Sequence, residues 1–409
     1  MKGKKLFLLL LVIGLLGLAF ALTACSSSAP DSDSDEDSSS VSEAAEVVRI
    51  GFFGPITGSN AAEGAAARNA FQMAIDQANA SGAYPYAIET IIVDDQSTEN
   101  VAVAGAQQIV SDPLVVAASG FWNSGPAAAC IPVFKEAEIP LLIWGAIRET
   151  LTSSENVPWI TRSAPTDKQE NIPLANMVLD EMGYDEWFVV SDVGSYGDGN
   201  FNAFIGELEA RGITPIGREQ VPEDTTDLNA VVQKIKSSGA KAVYCGSTVA
   251  IGSQLKRQLY EAGVTDILYC GISGMKTEDF LKIGDAAAEG AFVVSPGIIL
   301  DETEAGRQFI AEYNACGFSE PIGAYTPYAY EAALIILNAL EACGDNPTPA
   351  AMCDAIFYSR TDGIMGTTTF NEIGQTTNVA AYLNVIQDGV WVPYQNSEYA
   401  SGARSFGGQ

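Results

Sequence analysis

VVRIGFFGPITGSNAAEGAAARNAFQMAIDQANAS, which spans residues 47–81, combines a short apolar run, a loop and a long amphipathic segment. Its first seven residues are mostly β-branched or aromatic, so they predict a strand that is buried on both faces. Residues 61–81 predict a helix. Glycine, proline, serine and asparagine punctuate the loop between the two. A buried strand followed by a loop and a helix is the unit from which doubly wound parallel sheets are built.

The same unit recurs along the chain in two series. In the first series, the further predicted strands are 89–95, 114–120 and 140–145, and the further predicted helices are 100–111 and 126–137. In the second series, the predicted strands are 187–192, 212–217, 241–246, 267–271 and 290–295, and the predicted helices are 170–182, 199–211, 228–237, 250–262 and 277–283. A body of about 360 residues is too long for one ordinary core. The pattern therefore predicts an α/β protein with two Rossmann-like lobes, each built on a parallel sheet.

The segment 297–409 does not repeat this unit. It predicts three helices and then a hairpin, at 303–315, 325–343, 348–358 and in the strands AAYLNVIQDG and VWVPY. We expect these elements to complete the two lobes rather than to form a third one.

The N-terminal residues indicate export. Three lysines precede an apolar run over residues 6–22, which is the pattern of a signal peptide, residues 1–24. The closing LTAC resembles a bacterial lipobox, which implies cleavage before Cys25 and a diacylglycerol on its thiol; an ordinary signal peptide with a chance cysteine is the alternative. Two acyl chains suffice for stable membrane anchoring. Residues 25–46 are serine-rich and acidic, which predicts a disordered tether that holds the body away from the outer face of the cell membrane.

Composition excludes several classes of function. The chain has 21 lysines and arginines against 51 aspartates and glutamates, a formal charge of −30, so nucleic acid is not an expected partner. The absence of histidine removes the usual imidazole zinc sites and Ser-His nucleophile pairs. We predict no cofactor and no metal site.

Six cysteines follow Cys25, and none forms a CxxC pair: Cys130, Cys245, Cys270, Cys316, Cys343 and Cys353. An exported location permits disulfides, and the closest pair in sequence is Cys343 with Cys353. Spacing alone cannot assign the pairing, and six free thiols are equally compatible with the sequence.

Polar and glycine-rich loops follow the predicted strands of both lobes. GPITGSN, GFWNSG and GAIRET belong to the first lobe, and VGSYGDG, GSTVAIG and GISGMKT belong to the second. Ligands of doubly wound sheets bind beyond the carboxyl ends of the strands. The sequence therefore predicts that a small molecule binds in a cleft between the lobes.

Several stretches resemble the extracellular solute-binding lipoproteins that serve ABC importers for branched-chain amino acids, amides and related small acids. They lie in order between residues 48 and 395: the opening IGFFGPITGSNAAEG segment, IIVDDQST, WNSGPAAACIPVFKEAEIPLL, VVSDVGSYGDG, LKRQLYEAG and DGIMGTTTFNEIGQ. The resemblance implies a type I periplasmic-binding-protein fold, hinge closure on the ligand, importer permease subunits as partners and a monomer. It also implies three crossovers between the lobes, near 162–164, 295–297 and 365–368.

These crossovers divide the chain into lobes. The first lobe would comprise 47–163 with 297–366, and the second 164–296 with 367–395. A C-terminal tail, 396–409, would follow.

The resemblance also implies ligand-binding residues in the first lobe. Ser124 occupies the position whose hydroxyl and amide hold the ligand carboxylate, with Asn123 beside it. Physically, Ser-Gly-Pro predicts a helix start with Ser124 as its N-cap, and the free N–H groups of a helix start bind anions. Trp122 and Phe121 would then form an aromatic wall, although both rings could instead fill the seam under the loop.

A second group completes the implied site. Gly145 and Ala146 offer backbone groups, whereas Ile147 replaces a threonine of the family. In the second lobe, Tyr196 would close over the ligand.

Two further positions depart from the family pattern. Thr248 stands where an aromatic residue is frequent, and Ser273 stands where amino-acid binders carry the acid that pairs with the ligand ammonium. An ammonium without a carboxylate partner loses a charge-assisted hydrogen bond, about 1.5–3 kcal/mol. Either the ligand lacks an α-amino group or another acid replaces position 273, and Glu63 is the substitute that the sequence offers. Its alternative is a solvated acid in the first turn of a helix.

Two other classes of function compete with transport. An enzyme would need catalytic groups in these loops, but GISGMKT lacks the spacing of a phosphate loop, and Asp192 with Asp198 is the one carboxylate pair on offer. A sensor that docks a membrane receptor would have the same ligand-binding body.

Overall fold

The computed structural model describes residues 46–407. The predicted signal peptide, the predicted lipidation site Cys25 and the predicted tether up to residue 45 lie outside the described residues. Within residues 46–407, no helix is both long and apolar enough to cross a membrane.

Strands and helices alternate along the chain in the order strand, loop, helix, as the sequence predicts. The strands are β1 Val47–Gly54, β2 Ala87–Asp94, β3 Val115–Ser119, β4 Leu141–Ile143, β5 Ile160–Arg162, β6 Trp187–Asp192, β7 Gly217–Val221, β8 Ala242–Cys245, β9 Leu268–Gly271, β10 Phe292–Pro296, β11 Thr361–Gly363, β12 Gly366–Thr368, β13 Ala381–Gln387 and β14 Val390–Pro393. The helices are α1 Ala61–Ser81, α2 Glu99–Val110, α3 Ser124–Glu136, α4 Asp167–Ala175, α5 Ser195–Ala210, α6 Asn229–Ser238, α7 Val249–Glu261, α8 Glu278–Gly284, α9 Glu304–Ala315, α10 Thr326–Cys343 and α11 Pro349–Phe357.

Two main sheets organise the body. The first lobe is built on a five-stranded sheet of order β2-β1-β3-β4-β5, in which all neighbours are parallel. The second lobe is built on a seven-stranded sheet of order β14-β13-β10-β9-β8-β6-β7. Its β6–β10 strands are parallel, and β13 joins them antiparallel to β10. The predicted α/β fold with two parallel-sheet lobes is therefore confirmed.

Adjacent phenylalanines on β1 show why the strands are apolar throughout. Side chains alternate between the two faces of a strand. Phe52 packs on Phe71 and stacks on Trp144, whereas Phe53 packs on Phe121 on the other face. Helices cover both faces of the sheet, so both rings are fully buried.

Three connections cross between the lobes. The first follows β5 and leads into α4, which packs on α5 and β10. The second follows β10, after which α10 packs along α1 in the first lobe. Residues 365–368, where the third crossover is predicted, belong to the β11–β12 hairpin beside α10. Gln375 then bridges to Arg162, and the chain joins the larger sheet only at β13.

Other predictions need smaller corrections. The strand predicted at 212–217 is found later, at Gly217–Val221, where it pairs in parallel with β6. The short strands β5, β11 and β12 were not predicted. Up to residue 407, the segment predicted as a C-terminal tail packs on the second lobe, since Phe406 is buried against Phe292 and Tyr399. All six cysteines of the described residues are free thiols.

Candidate functional site

The carboxyl ends of the two parallel sheets border a cleft of about 840 Å³. Its first-lobe wall consists of the loops that follow β1, β2 and β3, and its second-lobe wall consists of the loops that follow β6, β7 and β8. Four predicted site residues line it: Asn123, Ser124, Tyr196 and Thr248. The cleft therefore lies at the loops that follow the strands of the two sheets, as the sequence predicts.

Ser124 lies at the start of α3, one residue later in the helix than predicted. Asn123 has the extended backbone of an N-cap, with φ −87° and ψ 137°, and Ser124 is the first helical residue. The Ser124 hydroxyl is fully buried and accepts a hydrogen bond from the backbone N–H of Arg148 at 3.3 Å. The first-turn N–H groups of a helix have no intrahelical acceptor, so this end of α3 presents donors to the cleft.

The two rings that precede Ser124 lie on different sides of the loop. Phe121 is fully buried against Phe53, with 4.7 Å between the ring centroids, so it belongs to the core and not to an aromatic wall. Trp122 belongs to the other core cluster, and its buried indole N–H has no hydrogen-bond partner. Neither ring lines the cleft, so the expected aromatic wall is absent among the described residues, and the residues around the cleft are mainly polar.

The loop that follows β4 is hydrogen-bonded to the Ser124 loop. Ala146 donates its backbone N–H to the carbonyl of Phe121 at 2.8 Å. A β-carbon on Gly145 would lie 3.1 Å from that same carbonyl, so glycine permits the close approach. Ile147 is fully buried in the core, and its carbonyl accepts from the backbone N–H of Asp167. These three predicted site residues support the Ser124 loop rather than line the cleft.

Arg162 holds this second loop in place from the end of β5. Its guanidinium is fully buried and donates to the carbonyls of Ala146 and Arg148, at 3.1 and 2.6 Å. It also donates to Gln375 at 2.6 Å and to Thr152 at 3.2 Å. Burial lowers the pKa of Arg162 to about 10, and the charge of Asp167 opposes that effect. The side chain therefore stays protonated at neutral pH and joins three segments at the hinge.

In the second lobe, Tyr196 and Thr248 occupy helix starts. Tyr196 is the second residue of α5, and its hydroxyl accepts the backbone N–H of Gly274 at 3.0 Å. Burial raises the pKa of Tyr196 well above its usual value, so the hydroxyl stays protonated. Thr248 is the N-cap of α7 without a side-chain capping bond, which leaves its hydroxyl available at the cleft.

Ser273 lies in a buried cluster that the sequence does not predict. Its hydroxyl donates to a carboxylate oxygen of Glu170 at 2.6 Å and lies 2.7 Å from the hydroxyl of Tyr325. The Tyr325 hydroxyl donates to the other oxygen of Glu170, also at 2.7 Å. Burial raises the pKa of Glu170 to about 7, against the two hydroxyl donors.

Glu63 lies in the first turn of α1 and is only 7% exposed, so the alternative of a solvated acid is wrong. Burial raises its pKa to about 7, while the charge of Lys276 and the backbone N–H groups of Tyr325 and Ala324 oppose that rise. Its Oε2 atom has no hydrogen-bond partner.

One ion pair joins the lobes beside the cleft. Arg148 donates to Asp198 at 2.9 Å and to the carbonyl of Ser195 at 3.2 Å. Arg148 follows β4 in the first lobe, whereas Asp198 and Ser195 lie on α5 in the second. Because the backbone of Arg148 also donates to Ser124, the ion pair is continuous with the Ser124 loop.

Four residues of this site were missed: Arg148, Arg162, Glu170 and Tyr325. Glu170 stands in the first turn of a predicted helix, where an acid is ordinary, and Tyr325 precedes an alanine-rich helix. Their contact spans 155 residues of sequence, so no local pattern reports it. Within residues 46–407, no group of three or more acidic or cysteine side chains is arranged to hold a metal ion.

Comparisons with known proteins agree with this geometry. The sequence profile of the periplasmic binding protein family matches residues 47–389. Leu/Ile/Val-binding protein homolog 3 of Brucella melitensis is 29% identical over 343 residues, which cover 82% of this chain and 90% of that protein.

Solved structures show the same fold. A branched-chain amino acid transporter substrate-binding protein of Streptococcus pneumoniae, in complex with isoleucine, has a TM-score of 0.77 at 21% identity and covers 85% of this chain and 98% of its own. An ABC transporter solute-binding protein of R. palustris, in complex with 4-hydroxybenzoate, has a TM-score of 0.76 at 20% identity, with 85% and 95% covered. Since the family profile spans most of the chain and the two lobes have the matching architecture, this protein belongs to the periplasmic binding protein family.

Proposed function

We propose that this protein is an extracytoplasmic solute-binding lipoprotein that captures a small carboxylate-bearing molecule between its lobes and delivers it to an ABC importer. The observation that carries the proposal is the start of α3, where Ser124 and the first-turn N–H groups border the cleft opposite Tyr196. N–H groups at a helix start bind carboxylates through hydrogen bonds and the helix dipole.

The relatives support this class of ligand. The Brucella melitensis relative is named for leucine, isoleucine and valine, and the two solved structures hold isoleucine and 4-hydroxybenzoate. Both solved ligands carry a carboxylate, and only isoleucine carries an ammonium. A carboxylate clamp in the first lobe serves either chemistry, so the second lobe determines which ligand is preferred.

Closure of the lobes would seal the ligand from water. We assign residues 47–163 and 297–380 to the first lobe and 164–296 with 381–395 to the second, which places the third crossover after Gln375.

The proposed ligand-binding residues are Ser124 with Asn123 for the carboxylate, Trp122 next to them in the loop, and Tyr196 with Thr248 on the opposite wall. Gly145, Ala146 and Ile147 act as the support of the Ser124 loop. The body acts as a monomer that docks on permease subunits.

The direct test is to identify the natural ligand. The purified protein is denatured, and the released small molecules are identified by mass spectrometry. We expect a molecule with a carboxylate, and its readdition should raise the melting temperature, since ligand at one hundred times its Kd adds about 2.7 kcal/mol. Release of a neutral sugar or a metal complex instead would contradict the proposal.

The lipid anchor is tested at Cys25. Cys25→Ala removes the thiol that would carry the diacylglycerol, so incorporation of labelled palmitate should be lost and the protein should be unprocessed or soluble. The matched control is Cys316→Ala, which removes an exposed thiol of the folded body and should leave labelling unchanged. If the Cys25 variant still incorporated labelled palmitate, the lipid would be attached elsewhere and Cys25 would not be the anchor.

Two alternatives remain distinct from transport. A sensor would bind the same ligand but dock a receptor, and copurification of permease or receptor subunits separates the two. For an enzyme, Asp192 and Asp198 offered a carboxylate pair. In the structure Asp192 accepts from the backbone N–H of Gly194 at 2.9 Å, and Asp198 pairs with Arg148, which supports structural roles for both.

A further inference from the structure

The β11–β12 hairpin lies against a buried carboxylate. Glu331 belongs to α10 and is only 1% exposed. Its Oε1 atom accepts a hydrogen bond from the hydroxyl of Thr368 at 3.1 Å, and the backbone N–H groups of Ile364 and Met365, in the turn, also donate toward the carboxylate. A β-carbon on Gly363 would lie 2.1 Å from Oε2, so glycine lets the hairpin close on this group. Glu331 therefore joins both the strands and the turn of the hairpin to α10.

No positive charge compensates this carboxylate. Its Oε2 atom is buried without a hydrogen-bond partner. The titratable groups beside it on α10 are Tyr328 and Tyr330, whose pKa values are themselves raised, so both stay neutral. On the hairpin, Arg360 and Asp362 are exposed and pair with each other. No charged side chain of the hairpin, α1 or α11 shifts the pKa of Glu331, and burial raises it to about 7.

The turn that Glu331 holds packs against the connections between the lobes. Met365 is buried, and a β-carbon on Gly297 would lie 2.2 Å from its Cε atom, so the methionine fills the space beside that glycine. Gly297 follows β10, and its backbone N–H donates to the carbonyl of Ala380, just before β13, at 2.7 Å. The Asn378 side chain donates to the carbonyl of Met365 at 2.8 Å. The turn is thus in contact with two of the segments that join the sheets.

We propose that the β11–β12 hairpin is a proton-sensitive wedge at the hinge, in which uptake of a proton by Glu331 tightens the hairpin on α10 and holds Met365 against Gly297. When the hairpin leaves α10, water reaches the carboxylate, and its pKa returns toward the ordinary value of 4.5. The docked hairpin therefore binds the proton more tightly than the open one. By linkage, its extra stability is complete below the ordinary pKa and is lost as the pH rises through about 7. This device does not depend on which ligand the protein binds.

Hydrogen exchange of the hairpin amides tests the proton linkage. The purified ligand-free protein is exchanged at about pH 6 and about pH 8, and the rate of the peptide 359–370 is divided by the intrinsic rate at each pH. With one linked proton of pKa about 7, the opening constant of the hairpin should be about tenfold larger at the higher pH. Glu331→Gln keeps the shape and stays neutral, so its opening constant should change by less than about twofold. The wild-type result alone tests the linkage if this variant does not fold.

Glu63→Gln is the matched control. Glu63 is also buried, on α1, and its pKa is also raised to about 7, but its carboxylate accepts from the backbone N–H groups of Ala324 and Tyr325 and not from the hairpin. The hairpin of this variant should keep the wild-type pH dependence.

Met365→Ala tests the contact with the hinge. The change leaves the hairpin bonds to Glu331 in place and opens a space beside Gly297, so the N–H of Gly297 should exchange at least about threefold faster while the hairpin keeps its pH dependence.

Four outcomes would overturn the inference. Equal protection of the wild-type hairpin at both pH values would remove the proton linkage. A pH dependence that persists in Glu331→Gln, or that disappears in Glu63→Gln, would assign the linkage to another group. Unchanged exchange of Gly297 in Met365→Ala would separate the hairpin from the hinge, and the hairpin would then not be a wedge.

Discussion

The Ser124 loop on the first-lobe side of the cleft is held by groups from a neighbouring loop, whereas the buried cluster at the boundary between the lobes is made of side chains from distant parts of the chain. On the first side, Arg162 fixes the loop after β4, and that loop in turn contacts Ser124. At the boundary between the lobes, Glu170, Ser273 and Tyr325 bind one another from three separate segments.

This difference has a chemical consequence. The first side offers N–H donors at the start of α3, which suit an anion, whereas the Glu170 carboxylate at the boundary already accepts hydrogen bonds from two hydroxyls. The first side binds through backbone groups, so a substitution there should change affinity mainly by moving those groups. Changes at the boundary between the lobes should act mainly through charge and closure.

The largest effect is expected where the first side is held together. Arg162→Met keeps an unbranched apolar stem and removes the guanidinium that donates to four buried oxygens, of which the Arg148 carbonyl keeps the N–H of Leu151 and the Gln375 amide keeps the hydroxyl of Thr152. Each of the two acceptors that lose their donor costs about 1–3 kcal/mol, so the free energy of unfolding should fall by at least about 2 kcal/mol. Urea denaturation of the ligand-free protein, followed by tryptophan fluorescence, measures this loss.

Arg218→Met is the matched control. Arg218 is partly exposed, and its nearest carboxylate oxygen, on Glu209, is 3.6 Å away, so its loss should change stability by less than about 1 kcal/mol. If Arg162→Met were no more destabilising than this control, the hinge would not depend on the buried guanidinium, and the first side would be less rigid than we infer.

The same contrast explains what the sequence could predict. Helix 61–81 and the loop at Ser124 were predicted because strand, loop and helix succeed one another within a short segment, and the structure has them there. The N-cap was predicted one residue too late, at Ser124 instead of Asn123, since both are good N-cap residues. Local residue types were sufficient to place the start of α3, but not to identify Arg148 and Arg162, which hold its loop.

The buried cluster at the boundary between the lobes could not be predicted from local residue types. The sequence shows serine at position 273, but the acid that Ser273 binds in space, Glu170, is 103 residues away. Glu63 was the substitute offered because it lies near a recognisable loop, whereas nothing in the sequence around Glu170 distinguishes it from a solvated helix acid. The packing of α4 between the lobes buries it, and only tertiary structure shows that.

An intermediate effect is expected at the carboxylate clamp. Ser124→Ala removes a hydroxyl at the start of α3 and leaves the N–H of Arg148 without its acceptor. Affinity for a carboxylate ligand should weaken by about 1–3 kcal/mol, and the loss should be equal for amino and des-amino ligands. Calorimetry with leucine and isocaproate measures both.

Ser119→Ala is the control for the Ser124 variant. Ser119 is also buried on this sheet, but its hydroxyl donates to the carbonyl of Leu142 at 3.2 Å, away from the helix start. It should leave both affinities within about twofold. Unchanged affinity in Ser124→Ala would mean that the carboxylate binds elsewhere in the cleft.

The smallest effect is expected at the ion pair between the lobes. Asp198→Asn removes the charge that Arg148 contacts at 2.9 Å, and the two side chains are 23% and 39% exposed, so solvent screens the pair. Such pairs contribute about 0.2–1 kcal/mol, which would speed ligand release up to about fivefold. Because the pair joins the two lobes, its loss should change dissociation more than association. Stopped-flow dissociation at low and high salt measures the effect, and the difference between variant and wild type should shrink as salt increases. Asp279→Asn, which removes an ion pair within α8, is the control and should leave release unchanged. A salt-independent change, or an equal change in the control, would show that Asp198 acts on folding of the second lobe and not on closure.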